Sequence, residues 1–182
     1  TSDGITSGTD QDIVTKSFNG ETWGDEEELS SKDNIGADTT PVSIVFDSNL
    51  YVAWATNDVT DSTGSDWDIV MRQHDGTGWG SVMEITNVDD SGDDYHPQLC
   101  EYKGALYIAW QTWDNDTSDG ADADIVMKAF DGTAWSSVAK PMIGDQGNDN
   151  SPQLQVFNDL MFLVWSTDDK VGNGVDFDIL SR

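Results

Sequence analysis

Short apolar segments alternate with long polar loops along the whole chain, and the apolar segments come in pairs. In each pair one segment follows a proline, and the other is apolar at almost every position. A continuous apolar run of this length is typical of a strand buried between two sheets. Because no helical periodicity is present, the pattern predicts short β-strands throughout. The pairs are 41–46 with 50–54, 97–102 with 106–110, and 152–157 with 161–165.

The same segments belong to a repeat. An Asp-x-Asp-Ile motif has its second Asp at positions 12, 68, 124 and 178, so successive copies lie 56, 56 and 54 residues apart. The motif predicts the start of a third strand, and an Asn-Gly or Asp-Gly dipeptide at its end predicts a two-residue hairpin turn. A fourth strand is expected from the Trp that follows three residues after each Gly. We divide the single domain 1–182 into repeats of approximately 12–67, 68–123 and 124–177, with a partial copy at 178–182.

Four antiparallel strands in each repeat indicate the blades of a β-propeller. We therefore predict an all-β fold, a β-propeller of four-stranded antiparallel blades with about three blades in this chain. Closed rings typically have about 4–8 blades. The chain would thus be an excised piece of a longer propeller, or a homo-oligomer would form. In a dimer, the N-terminal strands of one copy would complete the C-terminal blade of the other, giving a six-bladed ring.

Two sequence features resemble known propeller repeats. The Asp-Gly-x-x-Trp hairpins are similar to the Asp-box of sialidase-type repeats. The run from Asp-x-Asp-Ile through the hairpin to a later Pro resembles the TolB-type propeller blade. The resemblance implies a propeller architecture with ligands on the face that carries the long loops. Sialidases bind their substrate carboxylate with three arginines, whereas this chain has only Arg72 and Arg182, so their catalytic set cannot be carried over.

Acidic residues dominate the composition. There are 35 acids against 8 bases, a formal net charge of -27, and 29 of the acids are Asp with only 6 Glu. Such a field repels nucleic acid and anionic membranes and attracts cations, although a halophilic source would explain the same composition. No apolar run approaches the roughly 20 residues of a membrane span. The single cysteine, Cys100, excludes an intramolecular disulfide and is expected in the core.

Three Asp residues recur in the loop before each third strand, and they are the candidate metal ligands. Carboxylates at i and i+2 of an extended segment lie on one side, roughly 6–7 Å apart, so they can share one hard cation. Ca²⁺ is favoured over Zn²⁺, because Zn²⁺ would call for His or Cys. The alternative is that these side chains accept hydrogen bonds from loop N–H groups without any metal. The sets are Asp3, Asp10 and Asp12; Asp58, Asp66 and Asp68; Asp114, Asp122 and Asp124; and Asp169, Asp176 and Asp178.

Six of the eight tryptophans repeat in register, and we expect them to pack within and between blades. Trp67 and Trp113 do not repeat, and both lie in acidic loops. Exposed aromatic rings beside carboxylates can stack on sugars, so these two are the candidate carbohydrate contacts; the alternative is that they anchor their loops. His74 and His96 occupy different repeat positions, which predicts structural roles rather than an acid–base pair.

These observations favour a non-enzymatic binding or assembly module, extracellular or at the cell surface, whose acidic loops bind Ca²⁺ and a glycan. No catalytic residue is assigned, because neither a nucleophile motif nor a phosphate-binding Gly loop is present. One alternative is a sialidase-like or other glycosidase-type enzyme. It would use a carboxylate pair from the loop that holds Asp89, Asp90, Asp93 and Asp94. A second alternative is an inert, self-assembling propeller fragment.

Overall fold

A computed structural model describes residues 11–30, 36–58, 66–86, 92–113, 122–141, 147–168 and 178–181. Within these ranges every helix or strand element is a β-strand. The described residues therefore include no helix that is long and apolar enough to cross a membrane. The predicted all-β fold is confirmed.

The strands form four antiparallel sheets that follow one another along the chain. The first sheet pairs β1 (Val14–Thr15) with β2 (Glu27–Glu28). The second holds β3 (Asp38–Phe46), β4 (Asn49–Thr56), β5 (Asp68–His74) and β6 (Met83–Glu84) in that order. The third holds β7 (Asp94–Tyr102), β8 (Ala105–Thr112) and β9 (Asp124–Phe130). The fourth holds β10 (Asp149–Phe157), β11 (Leu160–Thr167) and β12 (Asp178–Ser181).

The strands keep the predicted repeat, with two corrections. Third strands β5, β9 and β12 begin at the second Asp of the Asp-x-Asp motif, as expected. The predicted two-residue turn at Asp75-Gly76 is wrong, because His74 bridges Trp79 and the loop therefore spans the four residues between them. Asp75 Oδ1 accepts hydrogen bonds from the N–H groups of Thr77 and Gly78 at 2.8 and 3.1 Å, which stabilises the longer loop. The fourth strands also begin later than expected: β2 begins at Glu27 and β6 at Met83, whereas Trp23 and Trp79 form only isolated bridges.

The first strands begin three residues before the proline instead of at it. Each contains a β-bulge around the residue that precedes the proline. That residue has a left-handed backbone conformation in all three sheets, with φ of 53° at Thr40, 56° at His96 and 54° at Ser151. A positive φ is uncommon outside glycine, and for a β-branched residue such as Thr40 it is an outlier. The bulge lets each strand pass the proline, which has no N–H to donate.

The hydrophobic core lies between neighbouring sheets rather than in one central cluster. Tyr51 and Ala53 of β4 pack towards the third sheet, while Val52 and Trp54 pack towards the first sheet. A smaller cluster with Leu163 and Trp165 joins the third and fourth sheets. The prediction that the second strand is buried on both faces is confirmed for β4.

The backbone strain at Thr40 gives a first testable prediction. Thr40→Gly should raise the free energy of unfolding by up to about 1 kcal/mol, because glycine adopts positive φ without a steric penalty and relief of the strain outweighs the added chain entropy. Thr39→Gly is the matched control, since Thr39 is not among the residues with positive φ; it should lose about 0.5–1 kcal/mol. Urea denaturation measures both. If Thr40→Gly loses as much stability as Thr39→Gly, the backbone at Thr40 is not strained as described.

Candidate functional site

A buried carboxylate marks the start of each first strand. Asp38, Asp94 and Asp149 are at most 2% exposed. Each accepts a hydrogen bond from the indole Nε1 of the Trp on the adjacent second strand. The bonds are Trp54 to Asp38 at 2.9 Å, Trp110 to Asp94 at 2.8 Å, and Trp165 to Asp149 at 2.9 Å. Because a buried charge is costly without hydrogen bonds, these pairs fix the strand start inside the fold.

The same three Asp residues connect each sheet to the preceding one. The N–H of each donates to the carbonyl of the middle residue in the preceding Asp-x-Asp motif, at 2.7 Å in every case. The bonds run from Asp38 to Gln11, from Asp94 to Trp67, and from Asp149 to Ala123. The Asp-x-Asp segments and the starts of the first strands therefore lie at one face of the molecule. The Asp-Gly loops lie at the other ends of the third strands, on the opposite face.

A cavity opens where the three bulges come together, and we call it the central cavity. Its volume is about 300 Å³, and all three sheets with a first strand contribute to it. Its polar lining consists of the strained residues Thr40, His96 and Ser151, together with Gln98 and Gln153; the prolines after the bulges supply apolar surface. The side chains of Thr40, His96 and Ser151 are exposed. The bulge thus directs one polar residue from each repeat towards a shared space.

The central cavity has the chemistry of a site for a neutral polar ligand. Thr and Ser hydroxyls, Gln amides and a His ring can each donate and accept hydrogen bonds. None of the described residues that line it is a carboxylate or a permanent cation. His96 is held by a hydrogen bond between Nδ1 and Gln111 Oε1 at 3.2 Å, so its ring has a defined orientation. A few convergent polar groups beside apolar surface are the usual composition of a small-molecule site.

The candidate metal ligands are partly engaged within the fold. Asp68 accepts a hydrogen bond from Thr86 Oγ1 at 2.9 Å, and Asp124 forms an ion pair with Lys140 Nζ at 2.9 Å. Asp58 is buried beside Gly36, where a Cβ would lie 2.3 Å from the Asp58 Cα, so only glycine permits the approach. No three of the described His, Cys, Asp or Glu residues are placed to hold a metal ion.

The remaining candidate ligands are either described residues with different surroundings or residues outside the described ranges. Asp12 lines a second cavity of about 500 Å³ between the first and second sheets, and Asp66 is half-buried. Asp122 Oδ2 is buried and has no hydrogen-bond partner among the described residues, which is the observation most favourable to a bound cation. Outside the described residues lie Asp3, Asp10, Asp114, Asp169, Asp176 and the side chain of Asp178.

Calcium binding is tested by thermal unfolding. If Ca²⁺ binds the folded chain, a concentration a hundred times the dissociation constant adds about 2.7 kcal/mol of stability, so the melting temperature should rise in millimolar Ca²⁺ and fall again with EDTA. Asp122→Asn should remove this response. The matched control is Asp75→Asn, on the opposite face, which should keep it. A melting temperature that does not change between EDTA and millimolar Ca²⁺ would contradict the calcium prediction.

The two candidate sugar contacts have different surroundings. Trp67 is half-buried and packs on Tyr95 with ring centroids 5.3 Å apart. Its backbone N–H donates to Asp93 Oδ1 at 3.1 Å. Trp113 is 41% exposed, and its backbone N–H donates to the backbone carbonyl of Asp93 at 3.0 Å. The Trp67 ring thus packs against another ring, whereas Trp113 offers more ring surface to a ligand, and both stay candidate sugar contacts.

The loop suggested for a catalytic carboxylate pair is also used structurally. Asp94 is buried against Trp110, while Asp93 binds the N–H of Trp67. Burial, and then the negative charge of Asp93 and a hydrogen bond to it, raise the pKa of Tyr95 to about 12. Tyr95 thus stays protonated and can donate to that carboxylate. Asp89 and Asp90 lie outside the described residues.

The central cavity and the role of the bulge residues are not evident from the sequence pattern. His96 lies at a different repeat position from His74, and this isolation predicts a structural role; Thr40 and Ser151 occupy its position in the other repeats. The available signal was positional: a polar residue directly precedes a proline at the same point of three repeats. First strands of neighbouring sheets bring these positions together.

Comparison with solved structures identifies propeller-type folds. An α-L-arabinanase from Penicillium chrysogenum matches with a TM-score of 0.61 and 16% identity over 95% of this chain and 54% of its own. A family 93 α-L-arabinofuranosidase from Fusarium graminearum matches with a TM-score of 0.57 and 16% identity over 94% and 53%. A family 117 glycoside hydrolase from the marine bacterium Zobellia galactanivorans matches with a TM-score of 0.55 and 14% identity over 94% and 58%.

These similarities concern the fold. The chain spans little more than half the length of each of the three structures. No protein-family model matches the sequence, and the search of curated proteins finds no significant match.

Proposed function

We propose that this chain is a carbohydrate-active propeller domain that binds a neutral sugar in the central cavity. The observation that carries the proposal is the convergence of Thr40, His96 and Ser151, each held in a strained conformation, on one polar cavity. Strain of about 1–3 kcal/mol per residue persists only where the surrounding structure enforces it, and such residues cluster at functional sites. Positive φ also recurs in the turns that follow the first strands, at Asp47, Lys103 and Asn158, so the binding role rests on the convergence of the three bulge residues on one cavity.

The structural neighbours support this choice of ligand class. The Penicillium and Fusarium structures contain arabinobiose, and all three compared proteins are glycoside hydrolases or arabinan-degrading enzymes by name. A disaccharide of neutral pentoses has hydroxyl groups that both donate and accept hydrogen bonds, which matches the Ser, Thr, Gln and His lining. Trp113, beyond the end of β8 on the same face, would give a second sugar unit a ring on which to stack.

Glycoside hydrolysis is the enzymatic form of the proposal. It needs two carboxyl groups about 5–9.5 Å apart on either side of the scissile bond. The part of the central cavity's lining that the structure describes holds no carboxylate, and Asp93 and Asp94 accept hydrogen bonds from Trp67 and Trp110. Hydrolysis by this chain would therefore draw its acid and base from the acidic loops of the same face. Without such a pair the cavity binds sugar without turnover, as an extracellular or cell-surface recognition module would.

The test combines binding and hydrolysis. Wild-type protein is titrated calorimetrically with neutral oligosaccharides, starting with arabinobiose, and the same mixtures are analysed for released monosaccharides. Binding with release of monosaccharide supports a glycosidase, and binding without release supports a recognition module. If no neutral oligosaccharide binds at millimolar concentration, the proposed function is wrong.

A further inference from the structure

Aromatic side chains beside one Asp-Gly loop pack onto the neighbouring sheet. Phe130 and Trp135 flank the loop of the third sheet, with ring centroids 5.1 Å apart, and we call such a pair an aromatic tip. Phe130 contacts Phe46 and Tyr51 of the second sheet at 6.4 and 6.5 Å between centroids. Phe46 and Tyr51, which flank the turn between the first and second strands, form a receptor pair. They are only 6% and 4% exposed.

The first sheet has the same tip in an exposed position. Phe18 and Trp23 occupy the repeat positions of Phe130 and Trp135, and their centroids are also 5.1 Å apart. Their exposed fractions are 52% and 65%, so most of the apolar surface of this tip faces solvent. Aromatic residues are enriched in the cores of protein interfaces, and contiguous exposed apolar surface marks interaction sites, so this tip is a candidate contact for a protein partner.

The third sheet carries a receptor pair that the described residues bury only in part. Tyr102 and Tyr107 occupy the repeat positions of Phe46 and Tyr51, and their centroids lie 6.2 Å apart. Both are half-buried, in contrast to the fully buried pair in the second sheet. The contact of Phe130 with Phe46 and Tyr51 shows that a receptor pair accommodates an aromatic tip. Tyr102 and Tyr107 can therefore accommodate a tip of the kind that Phe18 and Trp23 form.

Two strands occupy the same place in the repeat. β12 is the third strand of the fourth sheet and pairs with β11 from Val164 opposite Ser181 to Thr167 opposite Asp178. β1 follows the same Asp-x-Asp-Ile motif and pairs with β2 as a third strand with a fourth. No second strand lies beside β1 among the described residues. β1 and β12 are therefore equivalent third strands. By this equivalence β1 can pair with the edge of β11 to which β12 is hydrogen-bonded.

We propose that two copies of this chain associate reciprocally through these elements. The β1–β2 pair of each copy takes the place of β12 beside β11 of the other copy. The Phe18–Trp23 tip then packs on Tyr102 and Tyr107 of that second copy, as Phe130 packs on Phe46 and Tyr51 within one chain. This inference concerns assembly and is independent of the proposed sugar site.

The same arrangement accounts for another exposed group. Phe157 of the fourth sheet, at the repeat position of Phe46, is 63% exposed. In the reciprocal pair it lies next to the His74–Trp79 tip of the second copy, whose ring centroids are 5.0 Å apart. The two contacts occur twice in a symmetric dimer, as expected for an isologous interface, in which both copies use the same surface.

The first test is the mass of the 182-residue chain in solution. Sedimentation at about 100 µM protein, far above a dissociation constant of about 1 µM, should give twice the 19.9 kDa mass of one chain. Each copy carries a formal charge of -27, so the dimer should strengthen as salt screens the repulsion. A monomer at all salt and protein concentrations would overturn the proposal.

Complementation tests the residues directly. Trp23→Glu (tip) and Tyr102→Glu (receptor) should each weaken self-association at least tenfold, while Val138→Glu, at an exposed site away from both contacts, should not. An equimolar mixture of the tip and receptor variants should recover dimer, because one of its two interfaces combines an unaltered tip with an unaltered receptor. Circular dichroism and melting temperature check folding; Phe18→Ser replaces a tip variant that fails to fold, and Tyr107→Ser replaces a receptor variant that fails to fold. Variants that dimerise like wild type, or a mixture that stays monomeric, would overturn the pairing.

Discussion

Replacing Trp54 with Phe is expected to lower the free energy of unfolding by about 2–3 kcal/mol, because the substitution removes a hydrogen-bond donor to a buried carboxylate. Trp54 is fully buried between the first and second sheets, and its Nε1 lies 2.9 Å from Asp38 Oδ1. Phe fills much of the same space but cannot donate this bond. Urea denaturation followed by circular dichroism measures the change. Trp110→Phe should give a similar loss, since Trp110 binds Asp94 in the same way.

Trp79→Phe is the control for this prediction. Trp79 also donates through Nε1, to Glu27 Oε2 at 3.3 Å, but this bond is exposed to solvent. Loss of this exposed bond should cost less than the loss at Trp54, because Glu27 can bind water in its place, and Phe keeps the packing of the half-buried ring. If the Trp54 and Trp79 substitutions cost the same, the buried Trp–Asp pairs do not hold the strand starts as described.

Replacing His96 with Ala is expected to weaken sugar binding about tenfold, which corresponds to about 1.4 kcal/mol, or roughly one well-formed hydrogen bond. The reason is that, among the described residues lining the central cavity, only His96 has an aromatic ring, and Gln111 holds that ring in place. Calorimetric titration with the best-binding neutral oligosaccharide measures the change in the dissociation constant.

His74→Ala is the matched control. His74 lies beside the Asp-Gly loop on the opposite face, where its Nδ1 accepts a hydrogen bond from the Gly76 N–H at 3.0 Å. The affinity of this variant for the sugar should stay within about twofold of wild type, because its side chain is far from any ligand in the central cavity. Equal losses from both histidine variants would indicate a general effect on folding and would contradict the assignment of the site.

Much of the fold could be predicted because its signals are local and repeated. The Asp-x-Asp-Ile motif fixes where third strands begin, as β5 at Asp68 shows. The apolar run at 50–54 correctly indicated a strand with a neighbour on each face, which packing against the first and third sheets explains. The turn at Asp75-Gly76 was less accessible, because the Asp75 side chain binds the N–H groups of Thr77 and Gly78 and favours a longer loop.

The candidate site could not be predicted in the same way. Asp38 was indistinguishable from the many loop acids, since its burial depends on Trp54, a residue 16 positions later on another strand. Thr40, His96 and Ser151 differ in chemistry, so their shared role emerges only when three first strands bring their bulges together. For the Asp triads the sequence suggests a shared role, but the fold gives the members different partners. Their pattern is regular in sequence, but Asp68 and Asp124 bind Thr86 and Lys140 in the fold.

The crystal structure of the chain with its best-binding neutral oligosaccharide is the most direct test of the central cavity as the functional site. We expect one sugar unit between Thr40, His96 and Ser151, with its hydroxyl groups hydrogen-bonded to these side chains and to Gln98 or Gln153. Sugar bound only at the outer loops or at the face of the Asp-Gly turns, with the central cavity containing no sugar, would contradict the account.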